Sequence, residues 1–173
     1  MNVFKFGGAS VKDVAGVKNL ISVLTTVGHK NTLVVISAMG KTTNALEQII
    51  EDYFKNKEQT PAGILPLKQY HIDIVKGLFK EQSAEVEEVI HKLFEELLSF
   101  FKSNKSPNYS FVYDQVVSYG ELLSTTIIHY YLKFLFLNLQ LNDLRLQLSL
   151  ILRQHNLYQN QKLKFYQLAN HLM

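Results

Sequence analysis

The sequence predicts an α/β fold built on a parallel sheet, and three stretches near its start support this. Residues 2–6 are predicted to form a short buried strand that ends at two glycines, a helical repeat of apolar residues follows, and "NTLVVISA" comes next. A continuous β-branched run of this kind is typical of a strand covered on both faces. Strand, helix and strand in this order form a βαβ unit, whose two strands run parallel with a right-handed crossover.

The first helix is predicted to begin near Ser10 and to end near Gly28. Ser10 and Asp13 have the spacing of a capping box, with Ser10 as the N-cap. Apolar side chains then recur at helical spacing, at Val14, Val17, Leu20, Ile21 and Leu24. A glycine at position 28 suits the end of such a helix.

Helices are predicted for most of the chain that follows. They cover residues 43–54, 65–79 and 83–101, with another from Gly120 onward. The polar residues 55–63 and the stretch "KSNKSPN" separate them. The chain of 173 residues is long enough for one domain with a substantial core.

The tail from residue 134 differs in composition from the rest. No glycine occurs after Gly120, and Asp143 is the only acidic residue after Glu121. The run "FLFLNLQLNDLRLQLSL" alternates with period two and changes phase at Asn142-Asp143, which locally indicates a hairpin with a two-residue turn. We therefore divide the chain into a domain segment, residues 1–133, and a divergent tail, residues 134–173.

Composition argues against several classes of function. The net charge is +3 without a basic run, which is too small to indicate a nucleic-acid surface. The absence of cysteine excludes disulfides and thiolate metal sites and fits a reducing compartment. Residues 127–152 are apolar but interrupted by charged and amide side chains, so they suit a membrane span poorly. The N-terminus reads as a strand, so we expect no signal peptide.

The first candidate motif is "KFGGASV", residues 5–11. Gly7 and Gly8 after a strand let backbone N–H groups approach anionic oxygens, and the N-terminus of a helix favours negative charge. Lys5 adds a cation that can follow a phosphoryl group in transfer, and Ser10 can donate its hydroxyl or cap the helix. The alternative is a tight strand-to-helix turn with a solvated lysine.

The second candidate motif, "VVISAMGKTTNALE", again runs from a strand through small residues to a helix start. One interpretation is that Thr42 or Thr43 is simply an N-cap. The other is a second anion-facing helix N-terminus at the same sheet edge, where open α/β sheets bind ligands.

The third candidate motif is "VSYGELLST". Ser118 and Glu121 have the spacing of a capping box before an apolar run, which could by itself account for the glutamate. A ligand role would require the Glu121 carboxylate to face the crevice and meet a cation, such as a substrate ammonium group.

These three motifs, in this order, closely resemble those of the aspartokinases in the amino acid kinase family. The first motif has Ala9 where the family usually has threonine, and the resemblance covers roughly residues 1–133. It implies a three-layer αβα sheet, here truncated and followed by an irregular tail. It also implies ATP-dependent phosphorylation of the β-carboxylate of L-aspartate to 4-phospho-L-aspartate, the first step toward lysine, threonine and methionine.

The resemblance also implies a role for each matched residue. Lys5 would contact the ATP phosphates and act in catalysis, and Gly7, Gly8 and Ser10 would complete the phosphate cradle. Thr43 would bind aspartate, and Glu121 would meet the aspartate ammonium group. Mg²⁺ would accompany ATP, without an assigned protein ligand. Family members are usually homo-oligomers, and we expect a cytoplasmic location with no nucleic-acid or membrane partner.

The resemblance ends before the tail. Aspartokinases are longer and carry a D-x-R segment and a glycine-rich segment that serve aspartate and nucleotide. Asp143-Leu144-Arg145 is a weak match to the first, and the second has no counterpart. We interpret the tail as a frameshifted terminus of a truncated gene, with a divergent short homologue as the alternative. We therefore expect little activity from this chain alone. The alternative function is a non-catalytic nucleotide- or partner-binding fragment.

Overall fold

Two parallel strands open the structure, a computed structural model that describes residues 2–28, 31–56 and 60–139. Strand β1 (Asn2–Phe6) and strand β2 (Thr32–Ile36) pair in parallel. Helix α1 (Val14–Val27) connects them, so the predicted βαβ unit is confirmed. Thr32 and Ile36 are buried while the three residues between them are half-buried, so β2 is covered as its β-branched run predicts. The prediction that β1 is buried is wrong, because three of its five residues are exposed and the other two are half-buried.

Four further α-helices follow the sheet in the described part of the chain and supply most of the core. They are α2 (Thr42–Lys55), α3 (Thr60–Phe79), α4 (Ala84–Ser103) and α5 (Tyr109–Leu139). α2 packs against α3 and α5, and α3 also packs against α4. The largest fully buried side chains come from all of these helices and include Leu46, Ile50, Tyr53, Ile64, Ile90, Phe94, Leu97, Leu123 and Ile127. The fold is therefore mixed α/β, mostly helical around a short parallel sheet.

The start of α1 corrects one sequence prediction. The chain leaves β1 through a short 3₁₀ helix, Gly8–Val11, so Ser10 lies inside this turn and is not the N-cap. Asp13 is the N-cap instead, and its carboxylate accepts the Gly16 N–H at 2.8 Å. α1 ends before Gly28, whose φ of 90° suits glycine, as predicted.

The start of α5 corrects another prediction. α5 begins at Tyr109, where the Asn108 side chain accepts the Phe111 N–H at 3.1 Å. Gly120 therefore lies inside the helix, and the capping box predicted for Ser118 and Glu121 is wrong. The Ser118 hydroxyl instead donates back to a carbonyl one turn earlier, at 2.8 Å.

Two other boundaries also differ from the sequence prediction. α3 begins at Thr60, inside the predicted polar loop of residues 55–63. α5 continues through residues 134–139, which are helical although the alternating pattern favoured a strand there. The rest of the predicted hairpin, including Asn142-Asp143, lies outside the described residues, so the division at residue 133 stays a prediction. Within the described ranges, no helix combines the length and apolarity that a membrane span needs.

Candidate functional site

The first two sequence motifs form one surface at the carboxyl ends of β1 and β2. The Ser37 N–H donates to the Phe6 carbonyl and the Gly40 N–H donates to the Gly8 carbonyl, both at 3.0 Å. A Cβ on Gly8 would lie 2.5 Å from the Ala38 carbonyl oxygen. The two turns therefore touch through their backbones, and glycine at position 8 is what lets them approach so closely.

Gly7 differs from Gly8 because the fold itself does not require a glycine there. Its φ of −73° and ψ of 164° are extended values that any residue adopts. Apart from its chain neighbours, no described residue has an atom within 4 Å of the position that a Cβ on Gly7 would occupy. Its carbonyl accepts the Ser10 N–H at 2.9 Å, which closes the 3₁₀ turn. Gly7 thus exposes a bare backbone that a ligand can approach closely.

The N-terminus of α2 has free N–H groups beside this backbone. Its N-cap is Lys41, which provides no side-chain cap. Among the described residues, we find no acceptor for the N–H groups of Thr43 and Asn44. Uncapped N–H groups at a helix N-terminus favour anions. The N-terminus of α1, in contrast, is closed by the Asp13 carboxylate.

The two threonines of the second motif have different surroundings, and neither caps α2. The Thr42 side chain is buried, and its hydroxyl donates to the Met39 carbonyl at 2.6 Å. Thr43 is half-buried, and within the described ranges its hydroxyl has no hydrogen-bond partner. The alternative that Thr42 or Thr43 is the N-cap is therefore wrong, and the Thr43 hydroxyl is available to a ligand.

Three lysines surround the joined turns. Lys5 lies in β1, paired with Val35 of β2, and its side chain is exposed. Lys12 and Lys41 are also exposed and flank the first and second turn. In the part of the chain that the structure describes, none of the three forms an ion pair. The sequence analysis missed Lys12 and Lys41, although a lysine beside each glycine turn is a signal that it could have used.

The third motif lies against the second one. Within α5, a Cβ on Gly120 would lie 2.8 Å from Ala38 Cβ and 3.5 Å from Thr42 Cγ2. Glu121 is the next residue and is exposed. Over residues 2–28, 31–56 and 60–139, the Glu121 carboxylate has no hydrogen bond or ion pair with Thr43 or Lys5. Close packing of α5 thus brings Glu121 to the edge of the joined turns without fixing its side chain.

A second link between α2 and α5 was missed from the sequence. The Tyr113 hydroxyl donates to Glu47 Oε1 at 2.8 Å, and this hydrogen bond raises the pKa of Tyr113. Glu47 lies one helical turn after Thr43, so the contact fixes α5 against the same end of α2.

Helix α3 contributes two further residues that the sequence analysis missed. The Tyr70 hydroxyl donates to the Lys12 carbonyl, and burial, followed by the negative charge of Asp13, raises the pKa of Tyr70. His71 is fully buried with Nε2 3.4 Å from Thr42 Oγ1, and burial lowers the pKa of this imidazole to about 4. Their contacts are to residues far away in the sequence, which no local pattern predicts.

Comparison with known proteins identifies the family. The sequence profile described as the Amino acid kinase family matches residues 1–167. The chain belongs to the amino acid kinase family. Among its relatives, Aspartokinase 1, chloroplastic, from Arabidopsis thaliana is 33% identical over 136 residues, which are 75% of this chain and 23% of the relative.

Solved structures support the assignment of this chain to the amino acid kinase family. E. coli aspartokinase III in complex with lysine and aspartate (T-state) has a TM-score of 0.66 and 25% identity, covering 77% of this chain and 29% of that one. The same enzyme in complex with aspartate and ADP (R-state) has a TM-score of 0.65, with the same identity and coverage. The resemblance to aspartokinases is thus confirmed, and the chain spans about a quarter of the length of these relatives.

In this amino acid kinase chain, the predicted site residues lie on adjoining elements. Lys5, Gly7, Gly8 and Ser10 form the end of β1 and the turn after it. Thr43 lies in the first turn of α2, which contacts that turn, and Glu121 lies beside it on α5. Cations and free N–H groups on this surface suit a phosphorylated ligand, while an exposed carboxylate at its edge suits a cationic group. Within the described ranges, no cluster of three or more metal-ligating side chains occurs.

Proposed function

We propose that this site serves the ATP-dependent phosphorylation of the β-carboxylate of L-aspartate, which yields 4-phospho-L-aspartate and ADP. The observation that carries the proposal is the joined pair of turns, with the bare backbone of Gly7 beside the uncapped N-terminus of α2. The fold explains the glycine at position 8 but not the one at position 7, whereas close approach of a phosphate explains both. The aspartate and ADP named for E. coli aspartokinase III support the same substrates.

The chemistry needs positioning and charge more than proton transfer. A β-carboxylate oxygen attacks the γ-phosphorus, the bond from that phosphorus to the β–γ bridging oxygen breaks, and ADP leaves. The carboxylate is ionised near neutral pH, so the step needs no general base. The Lys5 ammonium group and the N–H groups of Gly7 and Gly8 would stabilise the negative charge of the phosphates, with Ser10 at the rim. Mg²⁺ would enter the site bound to the phosphate oxygens of ATP.

Aspartate would bind between α2 and α5. The free hydroxyl of Thr43 would donate to an aspartate carboxylate, and the exposed Glu121 carboxylate would pair with the aspartate ammonium group. This assignment places the acceptor beside the phosphate turns, because Gly120 packs directly on the second turn.

The experiment measures binding of Mg·ADP and of L-aspartate to the 173-residue chain by calorimetry. Lys5→Met should weaken Mg·ADP binding about tenfold or more, since it removes a charged phosphate contact. Lys102→Met, the same change at an exposed lysine of α4, is the matched control and should bind normally. Wild-type affinity in Lys5→Met would contradict the assigned role.

The aspartate half of the proposal is tested separately. Thr43→Val and Glu121→Gln should weaken aspartate binding and leave Mg·ADP binding unchanged. Glu95→Gln, at an exposed position on α4, controls for loss of a carboxylate. Trapping of the acyl phosphate with hydroxylamine then measures turnover. Nucleotide binding without turnover would favour the non-catalytic alternative.

Pathway, location and assembly belong to the same proposal. The reaction would be the first step toward lysine, threonine and methionine, in the cytoplasm and in a homo-oligomer. The name of the Arabidopsis relative gives a chloroplast location instead, so fractionation of the source cells with an antibody to the chain decides between the two.

A further inference from the structure

The Tyr70 hydroxyl touches both turns of the site from outside. It donates to the carbonyl of Lys12, which follows the first turn. The same oxygen would lie 2.7 Å from a Cβ on Gly40, in the second turn. Gly40 has a φ of 55°, a left-handed value that suits glycine. Because glycine has no side chain, there is room for the Tyr70 hydroxyl beside it. A single oxygen atom on α3 therefore contacts both the residue that follows the first turn and Gly40 of the second turn.

The neighbouring residue His71 holds the Tyr70 ring and contacts the second turn itself. Nδ1 of His71 lies 2.8 Å from the Leu67 carbonyl, which can only accept, so Nδ1 carries the hydrogen of the neutral ring. Nε2 then faces Thr42 Oγ1 at 3.4 Å. The imidazole also meets the Tyr70 ring edge-to-face, with 5.0 Å between ring centroids. His71 thus packs against both the Tyr70 ring and the start of α2.

Among the described residues, two backbone hydrogen bonds join the turns, from Ser37 to Phe6 and from Gly40 to Gly8. The second of these lies at the end of the two turns that is farther from the strands, since Gly8 and Gly40 follow Phe6 and Ser37 in the chain. Tyr70 acts at that same end, because it contacts Gly40. Without the hydroxyl, the Gly40 turn would lose the group that packs against it from α3.

We propose that Tyr70 is a positioning residue that sets the separation of the two phosphate-facing turns and thereby the affinity for nucleotide. The effect on affinity depends on the proposed function, whereas the effect on the turns does not. The two can therefore be measured independently.

The test uses Tyr70→Phe in the full 173-residue chain, with hydrogen exchange at the Gly40 amide and calorimetric binding of Mg·ADP as readouts. Exchange at Gly40 should accelerate about fivefold or more, and Mg·ADP affinity should fall by a similar factor, as expected for one lost hydrogen bond. Tyr53→Phe is the matched control, because the Tyr53 hydroxyl also donates to a backbone carbonyl, that of Asn104, at 3.2 Å. This control should lower thermal stability but change neither readout.

Unchanged Gly40 exchange in Tyr70→Phe would overturn the proposal, as would lower thermal stability with wild-type affinity for Mg·ADP. If the wild-type chain binds no Mg·ADP, the proposed function fails, and Gly40 exchange alone then decides whether Tyr70 positions the turns.

Discussion

Acidification should destabilise this protein through His71. The imidazole is fully buried and its pKa is lowered from 6.5 to about 4, because burial disfavours the charged form. In the unfolded chain, the same group titrates near its ordinary value of about 6.5. Above that pH the ring is neutral in both states and contributes no pH dependence. Between the two pKa values only the unfolded state binds the proton, so stability is lost as the pH falls from about 6.5 to about 4.

The size of the effect follows from the gap between the two pKa values. The fall from 6.5 to about 4 is a difference of about two and a half units. At about 1.4 kcal/mol per unit, the expected loss is about 3 kcal/mol. Since small domains are typically stable by about 5–15 kcal/mol, this loss would be a large part of the free energy of unfolding.

Urea unfolding at a series of pH values measures this loss in the wild type and in His71→Phe. Phenylalanine cannot titrate but keeps an aromatic ring against Tyr70 and Phe94, which His71 contacts now. Carboxylates and other histidines contribute equally to both proteins and cancel in the difference. The difference in free energy of unfolding should therefore change by about 3 kcal/mol between neutral pH and about pH 4. Parallel pH curves for the two proteins would refute the reasoning.

Urea unfolding of five variants tests the packing around the turns. Gly8→Ala should lower the free energy of unfolding by about 1–3 kcal/mol, because its Cβ would lie 2.5 Å from a backbone oxygen. Gly7→Ala should leave the free energy of unfolding unchanged and weaken Mg·ADP binding. Equal losses of stability in Gly7→Ala and Gly8→Ala would contradict the distinction between the two glycines. Gly120→Ala should destabilise by about 1 kcal/mol net, since a steric conflict exceeds the gain in helix propensity, and a stabilised variant would contradict this. Thr42→Val should lose about 1–2 kcal/mol with its buried hydrogen bond, whereas Thr43→Val should unfold like the wild type.

Local patterns predicted the elements of the fold well. The β-branched run gave β2, and the helical repeat from Val14 to Leu24 gave α1, because both depend on neighbours in sequence. The pattern failed at the first helix start, where Ser10 and Asp13 both suit an N-cap. The 3₁₀ turn after β1 contains Ser10, so Asp13 is the residue directly before α1 and caps it.

Long-range contacts explain what the sequence could not predict. A helix was predicted to start at Gly120, but this glycine lies inside α5, where it packs closely against Ala38, far away in the sequence. Tyr70 and His71 lie in a helix whose own pattern reveals only a buried face. Their partners, Lys12 and Thr42, become neighbours only after folding. Of the candidate site, the two turns at the carboxyl ends of β1 and β2 could thus be predicted from motifs, and the contacts that α3 and α5 make with them could not.

The register of α5 constrains how this region can change in evolution. Two contacts of α5 set the position of Glu121. Gly120 packs against the second turn, and the Tyr113 hydroxyl donates a hydrogen bond to Glu47 on α2. A helix rotates by roughly 100° per residue. If one residue were inserted or deleted between Tyr113 and Gly120, only one of their two contacts could form, and the other residue would face away from its partner. If the hydrogen bond of Tyr113 were the contact that formed, the carboxylate of Glu121 would point to a different side of α5, although the helix stayed intact. We therefore expect substitutions at the exposed and half-buried positions 114, 115, 117 and 118 to be tolerated far more readily than changes of length.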